Sequence, residues 1–245
     1  MVDIHCHILP EVDDGARSLL EALEMARIAA GCGVTDLAAT PHFRAEEENT
    51  HCLTALREQF LLLQRAMEQE EIPLRLHLGA EVLCTWQAVD LARERALPTL
   101  GDSDYVLCEF YFDVDYDYMD DILAGIAEAG YRPVVAHPER YGAIQRSPRR
   151  IHRWFARGYV IQVNKGSILG TFGTRAQNAA RWLLDMGLVH VIGSDAHSPR
   201  RRTTNLAHLR DDLLRSYSGE YVRLLLEENP GRVLRGEKMV PADDF

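Results

Sequence analysis

The chain lacks most of the features that would mark a secreted, membrane-bound or nucleotide-binding protein. Its cysteines number five in 245 residues, at positions 6, 32, 52, 84 and 108. The number is odd and no C-x-x-C pair occurs, which argues against a disulfide framework and points to reduced, mostly buried thiols. Nowhere do about 18 apolar residues run together, so no membrane insertion is expected. No basic segment precedes an apolar run at the start, so no signal peptide is expected and the protein is placed in the cytoplasm. Neither GxGxxG nor GxxxxGK[ST] follows the first apolar segment, which removes the usual nucleotide-binding fingerprints. Positive charge is in deficit, with 27 Lys and Arg against 37 Asp and Glu and a net charge of -10. A protein that grips a phosphate backbone shows the opposite balance, so no nucleic-acid partner is expected. The basic clusters Ser147-Pro148-Arg149-Arg150 and Arg200-Arg201-Arg202 read mostly as solvated surface.

What is present is an alternation. Strand-like runs at Val2–His7, Asp36–Thr40, Arg75–Val82, Tyr105–Phe110, Pro133–His137, Tyr159–Val163 and Val189–Gly193 are separated by helical stretches. The helices expected are Ser18–Gly31, Ala55–Glu71, Met119–Ala129, Ser147–Arg157 and Arg175–Met186, several of them followed by the glycine that commonly closes a helix. Such alternation implies a parallel sheet. Seven strands in this length suggest a TIM-like barrel one unit short of eight, a (β/α)7 barrel, with a doubly wound open sheet as the alternative. With 47% hydrophobic residues, the chain can bury a core without disulfides. It is read as a single domain, residues 1–245.

The chemistry-bearing residues fall at strand ends. The first strand ends in His5-Cys6-His7, the second runs into Pro41-His42, and the third ends near Glu81. The fourth ends in Glu109, the fifth in His137-Pro138-Glu139-Arg140, and the seventh in Asp195-Ala196-His197. In a (β/α) barrel the carboxyl ends of the strands are the face on which active sites are built. One histidine there is ordinarily a satisfied structural residue. Six of seven strand ends carrying His, Asp or Glu is a different matter, because unpaired charge at the end of an apolar strand is expensive and metal coordination relieves it. Residues i and i+2 of a strand share a side, so His5 and His7 can reach one ion together while Cys6 points away. Asp13-Asp14-Gly15 follows on a loop, as a further carboxylate source or simply a turn. A His/carboxylate set without thiolates suits Zn, Mn or Fe.

His5-Cys6 also begins the signature of cysteine phosphatases. That signature needs an arginine six residues after the cysteine, where this chain has Val12. Cys6 therefore reads as a spacer between two ligands.

The stretches DIHCHILPEVDDGA, AATPHF, GAE, LPTLGDSDYVLCEF, PVVAHPERY, IQVNKGS and VHVIGSDAH together resemble the PHP (polymerase and histidinol phosphatase) proteins. More narrowly, they resemble the bacterial metal-dependent tyrosine phosphatases of the CpsB/YwqE type, associated with capsule and exopolysaccharide synthesis. The resemblance implies a distorted seven-stranded (β/α) barrel, the PHP fold, and three divalent metal ions, manganese first and iron or zinc as alternatives. Carried over residue by residue, it gives one ion His5, His7, Glu81 and Asp195. A second shares Glu81 and adds Glu109 and His137. A third takes Asp14, or its neighbour Asp13, with His42 and His197. It implies phosphate-binding arginines at Arg140 and Arg202, the latter flanked by Arg200 and Arg201. The expected reaction is hydrolysis of phosphotyrosine on a protein, a bacterial tyrosine kinase foremost, by metal-activated hydroxide. Three such ions against four carboxylates leave a local excess of about two positive charges, enough to attract phosphate despite the acidic chain. The alternatives are a small-molecule phosphatase, such as histidinol phosphatase, and a non-catalytic metal-binding module. Asn164, Lys165 and the acidic aromatic run Tyr111–Tyr118 remain without an assigned role, the run reading as an ordinary loop in preference to a peptide-contacting rim.

Overall fold

The computed structural model of the protein describes residues 1–45 and 49–240. Its strands are β1 (Val2–Cys6), β2 (Asp36–Ala39), β3 (His42–Arg44), β4 (Arg75–Leu78), β5 (Glu81–Leu83), β6 (Tyr105–Glu109), β7 (Arg132–Ala136), β8 (Val160–Asn164) and β9 (Val191–Gly193). Every ladder between them is parallel, as alternation with helices requires. They form two sheets, ordered β1-β2-β4 and β3-β5-β6-β7-β8-β9.

Nine strands stand where seven were expected, and the two extra come from interruptions. The strand expected over Asp36–Thr40 stops at Ala39 and resumes as β3, because Pro41 has no N–H to give a ladder. The strand expected over Arg75–Val82 breaks at Gly79-Ala80 into β4 and β5, so Glu81 opens a strand instead of ending one. Among the described residues the ladders do not close into one ring. At the β1 side the two sheets are joined by backbone hydrogen bonds, Asp195 N–H to His5 O at 2.8 Å and His7 N–H to Ala196 O at 2.9 Å.

The helices follow the expected order with shifted ends. Leu19–Gly31 begins where the Ser18 hydroxyl accepts the Glu21 N–H at 3.2 Å, a side-chain N-cap. The second long helix runs Asn49–Gln69; a short helix at Trp86–Arg93, absent from the expected set, precedes the next at Tyr116–Glu128. Ser147–Arg157 is two pieces, a 3-10 turn at Pro148–Arg150 and a helix at Ile151–Ala156. Sequence periodicity missed the C-terminal helices Ala207–Leu213 and Gly219–Leu234. The latter opens into a π turn at Leu224–Glu228 just ahead of Pro230, which cannot donate to the carbonyl four residues back. Apolar faces of helices and strands share a buried core that includes Cys6, Cys84 and Cys108 as free thiols, with Cys32 half-buried. The side chain of Cys52 lies outside the described residues. Among the described residues no helix is long and apolar enough to cross a membrane.

His190, beside β9, is buried against the Phe155 ring, 4.8 Å between centroids, and its Nδ1 accepts the Ile161 N–H at 3.1 Å. Burial pushes its pKa down to about 4. Below its ordinary value of 6.5 the unfolded chain takes up a proton that the folded chain refuses. Stability is therefore fully present above that value and falls as pH drops toward 4, by about 3 kcal/mol in all. Urea unfolding at pH 7 and 4.5 should show this loss, and His190→Gln should remove most of it. An equal pH slope in the two proteins would refute the assignment.

Candidate metal centre

The nine expected ligands converge. His7, Asp14, His42 and His197 form one group, and His5, His7 and Glu81 a second. His5, His137 and Asp195 form a third, and His42, Glu81 and Glu109 a fourth, each group with its donor atoms within 4.8 Å of one another. Glu81 lies at the centre. Its Oε1 is 3.2 Å from His5 Nε2 and 2.7 Å from His137 Nε2; its Oε2 is 3.2 Å from His7 Nε2 and 3.3 Å from His42 Nδ1. Four imidazoles thus face one buried carboxylate.

The outer nitrogens fix which inner nitrogens are free to bind. His5 Nδ1 donates to Gln162 Oε1 at 2.9 Å, His7 Nδ1 to Asp13 Oδ2 at 2.7 Å, and His197 Nδ1 to the Asp195 carbonyl at 3.1 Å. These acceptors assign the proton to Nδ1 and leave the Nε2 lone pairs pointing inward. His5 Nε2 and His7 Nε2 are only 3.4 Å apart. Two lone pairs so close repel unless a cation sits with them. Without one the site gathers protons: burial pulls both histidines down, but Glu81 and Asp195 outweigh it at His5 and lift it to about 9. Asp13 and Glu81 lift His7 to about 10. A donor set of imidazole nitrogen and carboxylate oxygen, with outer partners already placed, fits divalent ions of the Zn, Mn and Fe type.

Asp13 and Asp14 differ in their partners. Asp13 is committed outward: it accepts from His7 Nδ1, from the His42 N–H at 3.0 Å and from the Gly15 N–H at 2.9 Å. These partners overcome its burial and hold its pKa at about 2. Asp14, 65% exposed, turns Oδ1 toward His197 Nε2 at 3.3 Å and His42 Nε2 at 3.5 Å. Asp14 stands with the inward donor atoms of His7, His42 and His197, and Asp13 stands outside them. The loop needs its glycine, since a Cβ on Gly15 would lie 2.1 Å from the His7 carbonyl oxygen.

Backbone conformation aims the other groups. His137, Asp195 and Arg202 take left-handed φ values of 34°, 49° and 48°. Non-glycine residues reach this region only where the surroundings impose it, and such strain gathers at functional sites. Both expected arginines reach Asp195: Arg202 Nη2 is 2.5 Å from Oδ1 and Arg140 Nη1 is 3.4 Å from Oδ2. Arg200 and Arg201 are exposed instead. Asn164 donates its amide N–H to Asp195 Oδ2, and Lys165 donates to the Thr203 and Asn205 carbonyls, so it pins the segment that follows Arg202. Glu139, fully buried in the HPER stretch, takes the Asn164 N–H and the Ser167 hydroxyl and stays outside the donor groups. Sequence reasoning missed Gln162, Asp13 as an orienting group, and the rings Phe112 and Phe172 that flank Arg140. Gln162 carried a signal: an amide buried in an otherwise apolar strand needs a partner.

Cys6 is fully buried in the core with Sγ 3.8 Å from the Ala196 carbonyl, and burial pushes its thiol well above its usual range. It is no thiolate nucleophile. Cys6→Ser, whose hydroxyl can donate to the same carbonyl, should keep kcat/KM within about threefold of the parent. An inactive Cys6→Ser protein that still folds and holds metal would reverse this conclusion.

Parallel strands delivering histidines and carboxylates to one buried centre, with two arginines beside it, define an α/β protein with a candidate metal site at its strand ends. A similar fold occurs in dihydropyrimidinase of Brevibacillus agri, at a TM-score of 0.58 and 10% identity over 98% of this chain and 72% of that one. The chain belongs to the CpsB/CapC family of capsular polysaccharide synthesis, whose model matches residues 1–235. It is 32% identical to tyrosine-protein phosphatase YwqE of Bacillus subtilis, over 97% of this chain and 92% of that protein. It is 29% identical to tyrosine-protein phosphatase CpsB of Streptococcus pneumoniae, over 96% and 98%. A solved structure from work on these two metal-dependent tyrosine phosphatases has a TM-score of 0.90 at 32% identity, covering 98% of this chain and 97% of that one.

Proposed function

We propose that the chain is a metal-dependent protein-tyrosine phosphatase. The observation that carries this reading is the convergence of nine His, Asp and Glu side chains on one centre, with Arg140 and Arg202 beside it. We assign His5, His7, Glu81 and Asp195 to one ion, Glu81, Glu109 and His137 to a second, and Asp14, His42 and His197 to a third, with manganese the first choice. When bound, such ions supply concentrated positive charge and lower the pKa of water toward neutrality.

The chain's own groups do the rest. Arg140 and Arg202 bind the phosphoryl oxygens with their N–H edges and balance charge in the transition state. Asp13, Gln162 and the Asp195 carbonyl hold three imidazoles in the tautomer that binds metal. Lys165 and Asn164 keep the Arg202 segment and Asp195 in place. Phenolate is a better leaving group than an alkoxide, its pKa being about 10, so tyrosyl phosphate needs less help from a general acid. The substrate we assign is a phosphotyrosine protein, with a tyrosine kinase of capsule or exopolysaccharide synthesis as the partner, in the cytoplasm. Residues 1–245 are read as one domain, supported by a core that takes in residues from Met1 to Val240. The two sheets are read as arcs of one distorted seven-position barrel, supported by the hydrogen bonds between β1 and the segment after β9.

Protein loaded with Mn²⁺ should release phosphate from a phosphotyrosyl peptide, stop on addition of EDTA and recover on metal readdition. No hydrolysis by metal-replete protein would overturn the reading. A preference for histidinol phosphate would move it to a small-molecule phosphatase.

A further inference from the structure

The guanidinium of Arg140 lies against two phenyl rings, Cζ being 4.4 Å from the Phe112 centroid and 4.3 Å from the Phe172 centroid. Arg202 shares the second ring, at 5.4 Å. The polar contact of Arg140, to Asp195, is long at 3.4 Å, so the rings are the firmer constraint on where the cation sits. The Phe172 ring and the Phe112 backbone are held by contacts that do not involve it. Phe172 packs so closely on the Lys165–Ile168 helix that a Cβ at Gly166 would come within 2.6 Å of the ring. The Phe112 carbonyl accepts the Gly142 N–H at 2.8 Å, which ties that residue to the segment just after Arg140.

We propose that Phe112 and Phe172 form an aromatic clamp that positions Arg140, and through the shared Phe172 ring also Arg202, for the phosphoryl group. Stacking occupies the faces of a guanidinium and leaves its N–H edge free, and that edge is what binds phosphate. Lysine offers no such division between face and edge. The two phenylalanines are positioning residues: they touch the arginines, not the reacting atoms. This inference rests on the phosphatase reading for its ligand, a phosphate monoester.

Inorganic phosphate binding to Mn-loaded protein, measured by calorimetry, tests the clamp apart from turnover. Phe172→Ala and Phe112→Ala should each weaken phosphate binding by about tenfold and raise KM for an aryl phosphate in parallel, with metal content unchanged. Phe112 is 47% exposed, so its variant tests the clamp even where Phe172→Ala fails to fold. Phe172→Tyr, which keeps the ring, should restore binding, whereas Phe172→Leu, which keeps only bulk, should not. In an Arg140→Gln background, Phe112→Ala should add little. Unchanged phosphate affinity in the alanine variants overturns the clamp, as does Leu serving as well as Tyr, or additive losses in the double variant. Wild-type protein that binds phosphate without hydrolysing a phosphotyrosyl peptide sinks the phosphatase reading and leaves the clamp standing on the binding data. Wild-type protein that binds no phosphate overturns both.

Discussion

Glu81→Gln should bind less metal and lose activity by roughly a thousandfold or more. The carboxylate is 1% exposed and its two oxygens face His5, His7, His42 and His137 at 2.7 to 3.3 Å. An amide of the same shape removes one negative charge. It also presents N–H groups to imidazole nitrogens that already lack an acceptor's freedom to turn, because Gln162 and Asp13 hold their far sides. No neighbouring group can take over, since Glu109 is engaged with His42 at 2.8 Å. The measurements are metal stoichiometry of the purified protein and kcat/KM with added Mn²⁺. Activity within tenfold of the parent, at full metal content, would show that Glu81 is not needed to hold the metal.

Gly15→Ala should cost about 3 kcal/mol of stability, a fall in Tm of roughly 10 °C, together with most of the activity. The added Cβ would sit 2.1 Å from the His7 carbonyl oxygen and 2.6 Å from the His7 Cβ. The nearest obstacle is backbone, so no side chain can swing aside. That carbonyl also accepts the Ala16 N–H at 3.1 Å, so the loop can relieve the clash only by breaking its own return contact. Moving the loop carries Asp13 away from His7 and Asp14 away from His42 and His197. Thermal melts and metal titration would report both effects, and an Ala variant that melts and binds metal like the parent would refute the argument.

The parallel architecture was legible because each strand is a short apolar run followed by a helix. The donor set was legible because histidine and carboxylate are so out of place at the ends of such runs. The resumption after Pro41 was not legible because His42-Phe43-Arg44 is no apolar run, and the break at Gly79 was not legible because the letters from Leu76 to Leu83 continue one pattern while only the ladder partners change. The last helical stretch carries Pro230 and Gly231, which read as breakers, yet the chain absorbs the proline with a π turn. Asp13 and Asp14 are indistinguishable as letters. What separates them is the direction each side chain takes from a loop whose course is dictated by Gly15. Phe112 sits near the head of a run that reads as an ordinary loop; Tyr116–Tyr118 instead open the helix Tyr116–Glu128, where the Tyr116 ring stacks on buried Trp154. Phe112 belongs to the site only through the fold, which brings it to Arg140, 28 positions later in the chain.

The interruptions of the second and third strands also have a mechanical meaning. They leave β1, β2 and β4 as a small sheet joined to its larger neighbour at the β1 side by a few backbone hydrogen bonds. His5 and His7 stand on or just beyond the small sheet, while His42, Glu81 and Glu109 stand on the large one and His137 just beyond its β7. Metal held by donors from both sides of that line would act as a rivet between two plates. Amide hydrogen exchange should therefore quicken on chelation in β1, β2 and β4 while β6, β7 and β8 keep their protection. A uniform change across both sheets would mean that the plates are already fastened without the rivets.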